Sequence, residues 1–183
     1  MIFLVLLINN YRCLLFPPNP WIPTLQVGDV LLVEKVTPRL SNNYNNKVGD
    51  MVLFAPPPRL REIVSSSGGK QLSDRDLFVK RIAARPGDVV TVDPTGAVQI
   101  NDATPPFGRD LCDTEPLKLI ERYIQPVESQ SVGKGKVFVL GDCGSVSVDS
   151  RVWGSLDTTN IKGKPIIRIW PLLRFGNIPS PLQ

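Results

Sequence analysis

At 183 residues, with 42% hydrophobic and 21% charged side chains, the chain is long enough for one domain with a real core, or for one domain carrying a sizeable insertion. Its 21 basic and 17 acidic residues leave a net charge of +4 with no Lys/Arg cluster interleaved with aromatics, so no nucleic-acid partner is expected, while the mild excess suits an anionic membrane surface. Histidine is absent, which excludes a Ser-His-Asp triad, a Cys-His dyad and every His-containing zinc site, and leaves lysine or a carboxylate as the base of any nucleophilic chemistry.

The N-terminal residues differ from the rest. Ile2 to Ile8 is an unbroken apolar run, but Asn9, Asn10, Tyr11 and Arg12 interrupt it before Leu14-Leu15-Phe16. A spanning helix needs about 20 apolar residues, so residues 1–20 read as an atypical stub: a degenerate or truncated anchor, or a signal-like segment. From Trp21 onward the chain reads as all-β. A Gly-Asp turn precedes an apolar strand three times: Gly28-Asp29 before Val30 to Val36, Gly49-Asp50 before Met51 to Ala55, and Gly87-Asp88 before Val89 to Val92. Leu60 to Asp76, with its Ser-Ser-Ser-Gly-Gly, reads as an exposed loop.

Asp76 to Ala84 is the strand around which the chain is organised. Side chains alternate along a strand, so Phe78, Lys80, Ile82 and Ala84 are expected on one face and Leu77, Val79, Arg81 and Ala83 on the other. An amine set among apolar neighbours loses hydration in its charged form; its pKa falls and it can serve as a base. Most strand lysines instead snorkel to water and stay charged.

Val89 to Val92 and Ala97 to Asn101 flank the turn Asp93-Pro94-Thr95-Gly96 and read as a hairpin. Residues 101–136, rich in Pro, Gly and charge, read as an insertion with at most one short strand near Leu119 to Ile124. Val137 to Leu140 returns to strand, Leu156 to Ile161 reads as one helical turn, and Pro165 to Trp170 as a late strand. Cys13, Cys112 and Cys143 show no Cys-x-x-Cys spacing, so one disulfide with an odd thiol is allowed, and its pairing is open.

Four stretches taken together resemble a known family: Pro23-Thr24-Leu25 with Val27-Gly28-Asp29; Val79-Lys80-Arg81-Ile82; Pro86-Gly87-Asp88; and Gly141-Asp142 followed by Ser147-Val148-Asp149-Ser150-Arg151-Val152-Trp153-Gly154. They are similar, in content and order, to the boxes of type I signal peptidases, most of all the bacterial and plastid (thylakoidal) members. The resemblance implies a membrane-associated serine endopeptidase that uses a Ser/Lys dyad, without metal or organic cofactor, to remove signal peptides from translocated preproteins. Lys80 falls on the general base and Ser147 on the serine that orients it. Asp149 and Arg151 match a charged pair, and Asp142 with Arg81 is expected to form another that fixes the loop to the strand. Trp21, Ile22, Pro23, Phe78 and Ile82 are expected along the substrate groove.

One box departs from the pattern. Where the family writes Ser-Met-x-Pro-Thr, this chain has Pro20 at the serine and Trp21 at the methionine, and Pro18 replaces an earlier serine that often lends a donor to the oxyanion hole. Proline has neither hydroxyl nor backbone N–H, so it supplies neither nucleophile nor amide donor. Cys143 replaces the asparagine of the Gly-Asp-Asn box. The chain as written is therefore expected to be inactive, either as a signal-peptide-binding pseudoenzyme that partners an active homologue, or because residues 1–20 are a mispredicted or truncated start. The abrupt onset of the resemblance at Trp21 to Pro23 favours the second.

The expected fold is mostly β: an antiparallel coiled sheet or small β-barrel of signal peptidase type, with residues 21–92 and 136–175 as the core, 93–135 as an inserted cap and 176–183 as a tail. The resemblance points to a thylakoid or bacterial plasma membrane, with the mitochondrial inner membrane as runner-up.

Overall fold

The structure is a computed structural model that describes the backbone of residues 5–8 and 11–15 and, in full, residues 24–26, 28–35, 47–107 and 122–179. Its described strands are β1 (Val5–Ile8), β2 (Tyr11–Leu15), β3 (Val30–Glu34), β4 (Met51–Phe54), β5 (Phe78–Ala84), β6 (Val89–Val92), β7 (Val98–Ile100), β8 (Val127–Ser131), β9 (Lys136–Leu140), β10 (Leu156–Asp157), β11 (Ile161–Trp170) and β12 (Gly176–Asn177). The larger sheet runs β1-β2-β3-β11-β4-β5-β9-β10, with β12 added to β11; β7-β6-β8 form a smaller one. Every strand pair is antiparallel. The chain is mostly β, and its larger sheet is open at β1 and β10 rather than closed into a barrel.

Two irregularities shape the larger sheet. The long strand β11 pairs first with β4, at Ile161 and Gly163, and then with β3, from Lys164 to Trp170. Its register shifts just after Pro165, whose missing N–H cannot complete a ladder. In β5 the register to β9 shifts between Ile82 and Ala84. That bulge overturns part of the expected alternation: Phe78 and Ile82 pack in one core cluster with Val52, Phe54, Val139 and Trp153, whereas Ala84 joins Ala83 in a second, with Val90, Val92, Phe107 and Phe138 under the smaller sheet. Leu77 and Val79 pack on a third cluster built on Leu25, Leu31, Val33, Met51 and Leu53.

The loop expected from Leu60 begins instead as helix α1 (Pro58–Ser66). Pro58 stands in the first turn, where its fixed φ favours a helix and its missing N–H is no loss. Leu60 and Ile63, one turn apart, bury against the first cluster. The Ser-Gly run that suggested a loop closes the helix: Ser67 N–H bonds to Ile63 O and Gly69 N–H to Val64 O. Likewise Leu156–Asp157 is strand, and only Thr158–Asn160 makes a 3₁₀ turn before β11.

Residues 176–179, expected as a tail, are tied in: β12 pairs with β11, and Ile178 packs on the third cluster. Within residues 1–20, expected as a stub, Val5–Ile8 and Tyr11–Leu15 form the antiparallel pair β1–β2, and β2 pairs with β3. Among the described residues no helix is long and apolar enough to cross a membrane. Of the expected strand near Leu119 to Ile124, residues 119–121 lie outside the described residues, and Arg122-Tyr123 form a turn.

Candidate active site

Lys80 lies in the middle of β5, opposite Val52 of β4, with Phe78 and Ile82 flanking it on the same face. The other half of the site is the loop that follows β9. It passes through Gly141 and Asp142, makes a 3₁₀ turn at Gly144–Val146, reaches Ser147 and enters helix α2 (Ser150–Trp153). Strand pairing of Ile82 with Val139 and of Arg81 with Leu140 brings the root of this loop beside Lys80. The Lys80 ammonium Nζ then donates to Ser147 Oγ at 2.8 Å.

Gly141 permits this approach. A Cβ there would lie 2.1 Å from Ser147 Oγ and 3.3 Å from Lys80 Nζ, so only a residue without a side chain lets the backbone pass the pair. Burial pushes the Lys80 pKa below its ordinary 10.5 because the ammonium loses hydration. Asp149 opposes that fall, the Arg151 charge adds to it, and Asp142 opposes it. Among the described residues the amine is hydrogen-bonded to a hydroxyl and to no carboxylate.

Two carboxylates are committed elsewhere. Asp149, fully buried, caps α2 by accepting from Arg151 N–H. It also accepts from Gly141 N–H at 3.1 Å and from Arg151 Nε and Nη2 at 2.9 and 2.8 Å. Burial alone would raise its pKa and is the largest single influence, but the charge and hydrogen bonds of Arg151, with the Lys80 charge and the Gly141 N–H, together hold it below the usual carboxylate value. Arg151 spends its remaining donors on the carbonyls of Gly144, Ser147 and Gly96, so the loop is laced from within.

Asp142 receives Arg81 as a fork, Nε to Oδ1 at 2.9 Å and Nη2 to Oδ2 at 3.0 Å. Thr24 Oγ1 donates to the same carboxylate at 2.5 Å, which joins the segment around residue 24 to the loop.

Lys80, Ser147, Asp142, Asp149, Arg151 and Arg81 thus form one connected constellation. Phe78 is half-buried beside it. Ile82, expected along a substrate groove, is 0% exposed and sits in the core, where a peptide has no access. Pro20, Trp21, Ile22 and Pro23 lie outside the described residues. Cys143 is disulfide-bonded, to a cysteine whose side chain lies outside the described residues, and so offers no thiolate. Sequence reasoning missed the steric need for Gly141 and the bond from Thr24. For the first, the Gly-Asp dipeptide directly after a strand was the available signal.

Comparison with known proteins follows the same lines. The family model described as signal peptidase, peptidase S26 matches residues 2–170. Signal peptidase I of Leptolyngbya laminosa is 33% identical over 171 residues, covering 90% of this chain and 71% of that protein. Thylakoidal processing peptidase 1, chloroplastic, of Arabidopsis thaliana is 36% identical over 155 residues, covering 85% of this chain and 41% of that protein. Probable signal peptidase I-1 of Synechocystis sp. is 34% identical over 172 residues, covering 90% and 74%. The chain therefore spans less than half the length of the Arabidopsis protein and under three quarters of the first relative.

Proposed function

Since the chain belongs to the signal peptidase family, matched over residues 2–170, we propose that its site is that of a Ser/Lys-type serine endopeptidase for signal peptides of translocated preproteins, and that with Pro20 at the serine's position this chain binds such peptides with little or no turnover. The observation that carries this reading is the 2.8 Å contact of Lys80 Nζ with Ser147 Oγ, made by an amine whose pKa burial has lowered. In the reaction the neutral amine of Lys80 accepts the proton of an attacking hydroxyl. Ser147 keeps the amine aimed by accepting its hydrogen bond. Asp142, Arg81, Asp149 and Arg151 hold loop and strand together and take no part in proton transfer.

The substrate is read as an extended peptide laid against the sheet beside Phe78, its backbone recognised as an added strand. Attachment to a membrane is supported by the turn after β11, where Trp170, Leu172, Leu173 and Phe175 are exposed, Leu173 completely. The names of the relatives favour a thylakoid or bacterial plasma membrane, and the mitochondrial alternative finds no support among them. Association with an active homologue is the alternative role of a chain that binds without cutting.

The test is incubation with a preprotein carrying its signal peptide. The unaltered chain is expected to bind without cutting, and Pro18→Ser with Pro20→Ser to gain cleavage that Lys80→Ala removes. Cleavage by the unaltered chain that vanishes in Lys80→Ala would sink the claim of inactivity. Cleavage by the serine variant that survives Lys80→Ala would remove Lys80 from the role of base.

A further inference from the structure

A second buried charge cluster lies outside the constellation around Lys80. Asp29, 0% exposed, takes Arg174 Nη1 on Oδ1 at 2.9 Å, and Arg168 Nη1 at 3.2 Å and the Gln26 N–H at 2.9 Å on Oδ2. The two arginines also grip the backbone and side chains around Asp29: Arg168 Nη1 reaches Thr24 O at 3.4 Å, and Arg174 Nη1 reaches Gln26 Oε1 at 2.6 Å. All of these arginine bonds come from one hairpin. The chain leaves β11 at Trp170, turns through Leu172–Arg174 and returns at Gly176, which pairs with Arg168. Arg168 Nε donates to Arg174 O at 2.6 Å and closes the hairpin from inside. Gly176 stands at φ +139°, a backbone state that L side chains rarely adopt.

The same hairpin reaches the other end of the segment. Ile178 packs on the cluster that contains Leu25, and Pro179 O accepts from Arg81 Nη2 at 3.3 Å, while Arg81 holds Asp142 and Asp142 holds Thr24. Residues 24–29 are thus gripped at both ends by residues 168–179. A burial cost is involved: desolvating Asp29 and Arg168 is unfavourable unless protein partners replace the lost water, and here the carboxylate accepts three hydrogen bonds, two of them from arginines. Such a network fixes a geometry more than it adds stability.

We infer that the Arg168–Pro179 hairpin is a positioning strap, in which Arg168 and Arg174, acting through Asp29, hold Thr24 to Asp29 in place relative to the Lys80–Ser147 pair. This deepens and rests on the proposed function, because the segment it holds begins four residues after position 20, where the resembled enzymes carry the nucleophile. Four residues of chain span at most about 14 Å, so an anchored Thr24 bounds how far position 20 can stand from it. Arg168, Arg174 and Asp29 are positioning residues and touch no reacting group.

The experiment is residue-resolved amide hydrogen exchange on the full chain and on Arg174→Gln, Arg174→Lys and Asp29→Asn. In Arg174→Gln, exchange at Gln26 and Asp29 is expected to accelerate about tenfold or more, as expected for loss of a charged hydrogen bond, while Ile82 and Val139 in the sheet keep their rates; Arg174→Lys restores part of the protection. If Asp29→Asn does not fold, the two Arg174 variants, at a partly exposed position, still decide. Unchanged exchange at Gln26, or equal acceleration at Gln26 and Ile82, overturns the strap. In the background carrying Pro18→Ser and Pro20→Ser, Arg174→Gln is expected to lower kcat while KM stays within about twofold. A fall confined to KM contradicts positioning. If that background cuts nothing, the proposed function fails on its own account, and the exchange rates still decide the strap.

Discussion

Lys80 and Arg81 are neighbours on β5, and the two faces of that strand treat their cations in opposite ways. Arg81 is buried with a carboxylate forked onto its guanidinium and further carbonyls from Gly49 and Pro179, so its charge is fully matched. Lys80 meets a hydroxyl, and the nearest carboxylates are turned away from it onto arginines. One side chain apart in the sequence stand a cation held by a carboxylate, Arg81, and one whose pKa burial lowers, Lys80. What separates the two is which face received the acceptor, more than burial itself.

Mutations that exchange cation for thioether test the contrast most strongly. Arg81→Met leaves the largely buried Asp142 carboxylate without its arginine, with the Thr24 hydroxyl still donating to it, and is expected to cost about 3–5 kcal/mol in urea unfolding. Gly141→Ala attacks the other face by wedging a methyl into Ser147 Oγ; a cost of about 1–3 kcal/mol is expected, with the Lys80–Ser147 bond broken and signal-peptide cleavage lost in the serine-restored background. The smallest effect has the opposite sign. Lys80→Met removes an amine that burial disfavours, and is expected to stabilise the fold by about 1 kcal/mol at neutral pH. Were Lys80→Met as damaging as Arg81→Met, the two faces would not differ.

The pH dependence sharpens the comparison further. The folded pKa of Lys80 lies below 10.5, so between that folded value and 10.5 the unfolded chain binds more protons and stability rises with pH. The advantage of Lys80→Met over the parent is therefore largest below the folded pKa and disappears above 10.5. Asp149 acts at the acid end: its folded pKa lies below 3.8, so its contribution is present above 3.8 and is lost as pH falls through the folded value. Unfolding midpoints measured across pH check both limbs.

The alternation of apolar residues around Lys80 was legible in the sequence, because period two needs no knowledge of partners. It failed at Ala84, where a bulge set by the register to β9 inserts a residue that strand counting cannot see. Helix α1 was hidden because its nine residues, Pro58–Ser66, run directly into a Ser-Gly stretch that reads as loop chemistry, although the spacing of Leu60 and Ile63 was there to be used. The paired charges of the loop were legible from the resemblance. Asp29 was not: Gly28-Asp29 looks like any turn, and its arginine partners stand 139 and 145 residues away. Local pattern carries strands and turns; buried long-range charge networks leave almost no local trace.

The most direct test of the contrast between the faces of β5 is an NMR titration of the Lys80 side chain in the folded protein, followed at the carbon beside its amine and assigned with Lys80→Met. A midpoint well below 10.5 is expected, as burial of an amine without a bonded carboxylate requires. A midpoint at or above 10.5 would show that Lys80 remains an ordinary charged lysine and would contradict its assignment as the base.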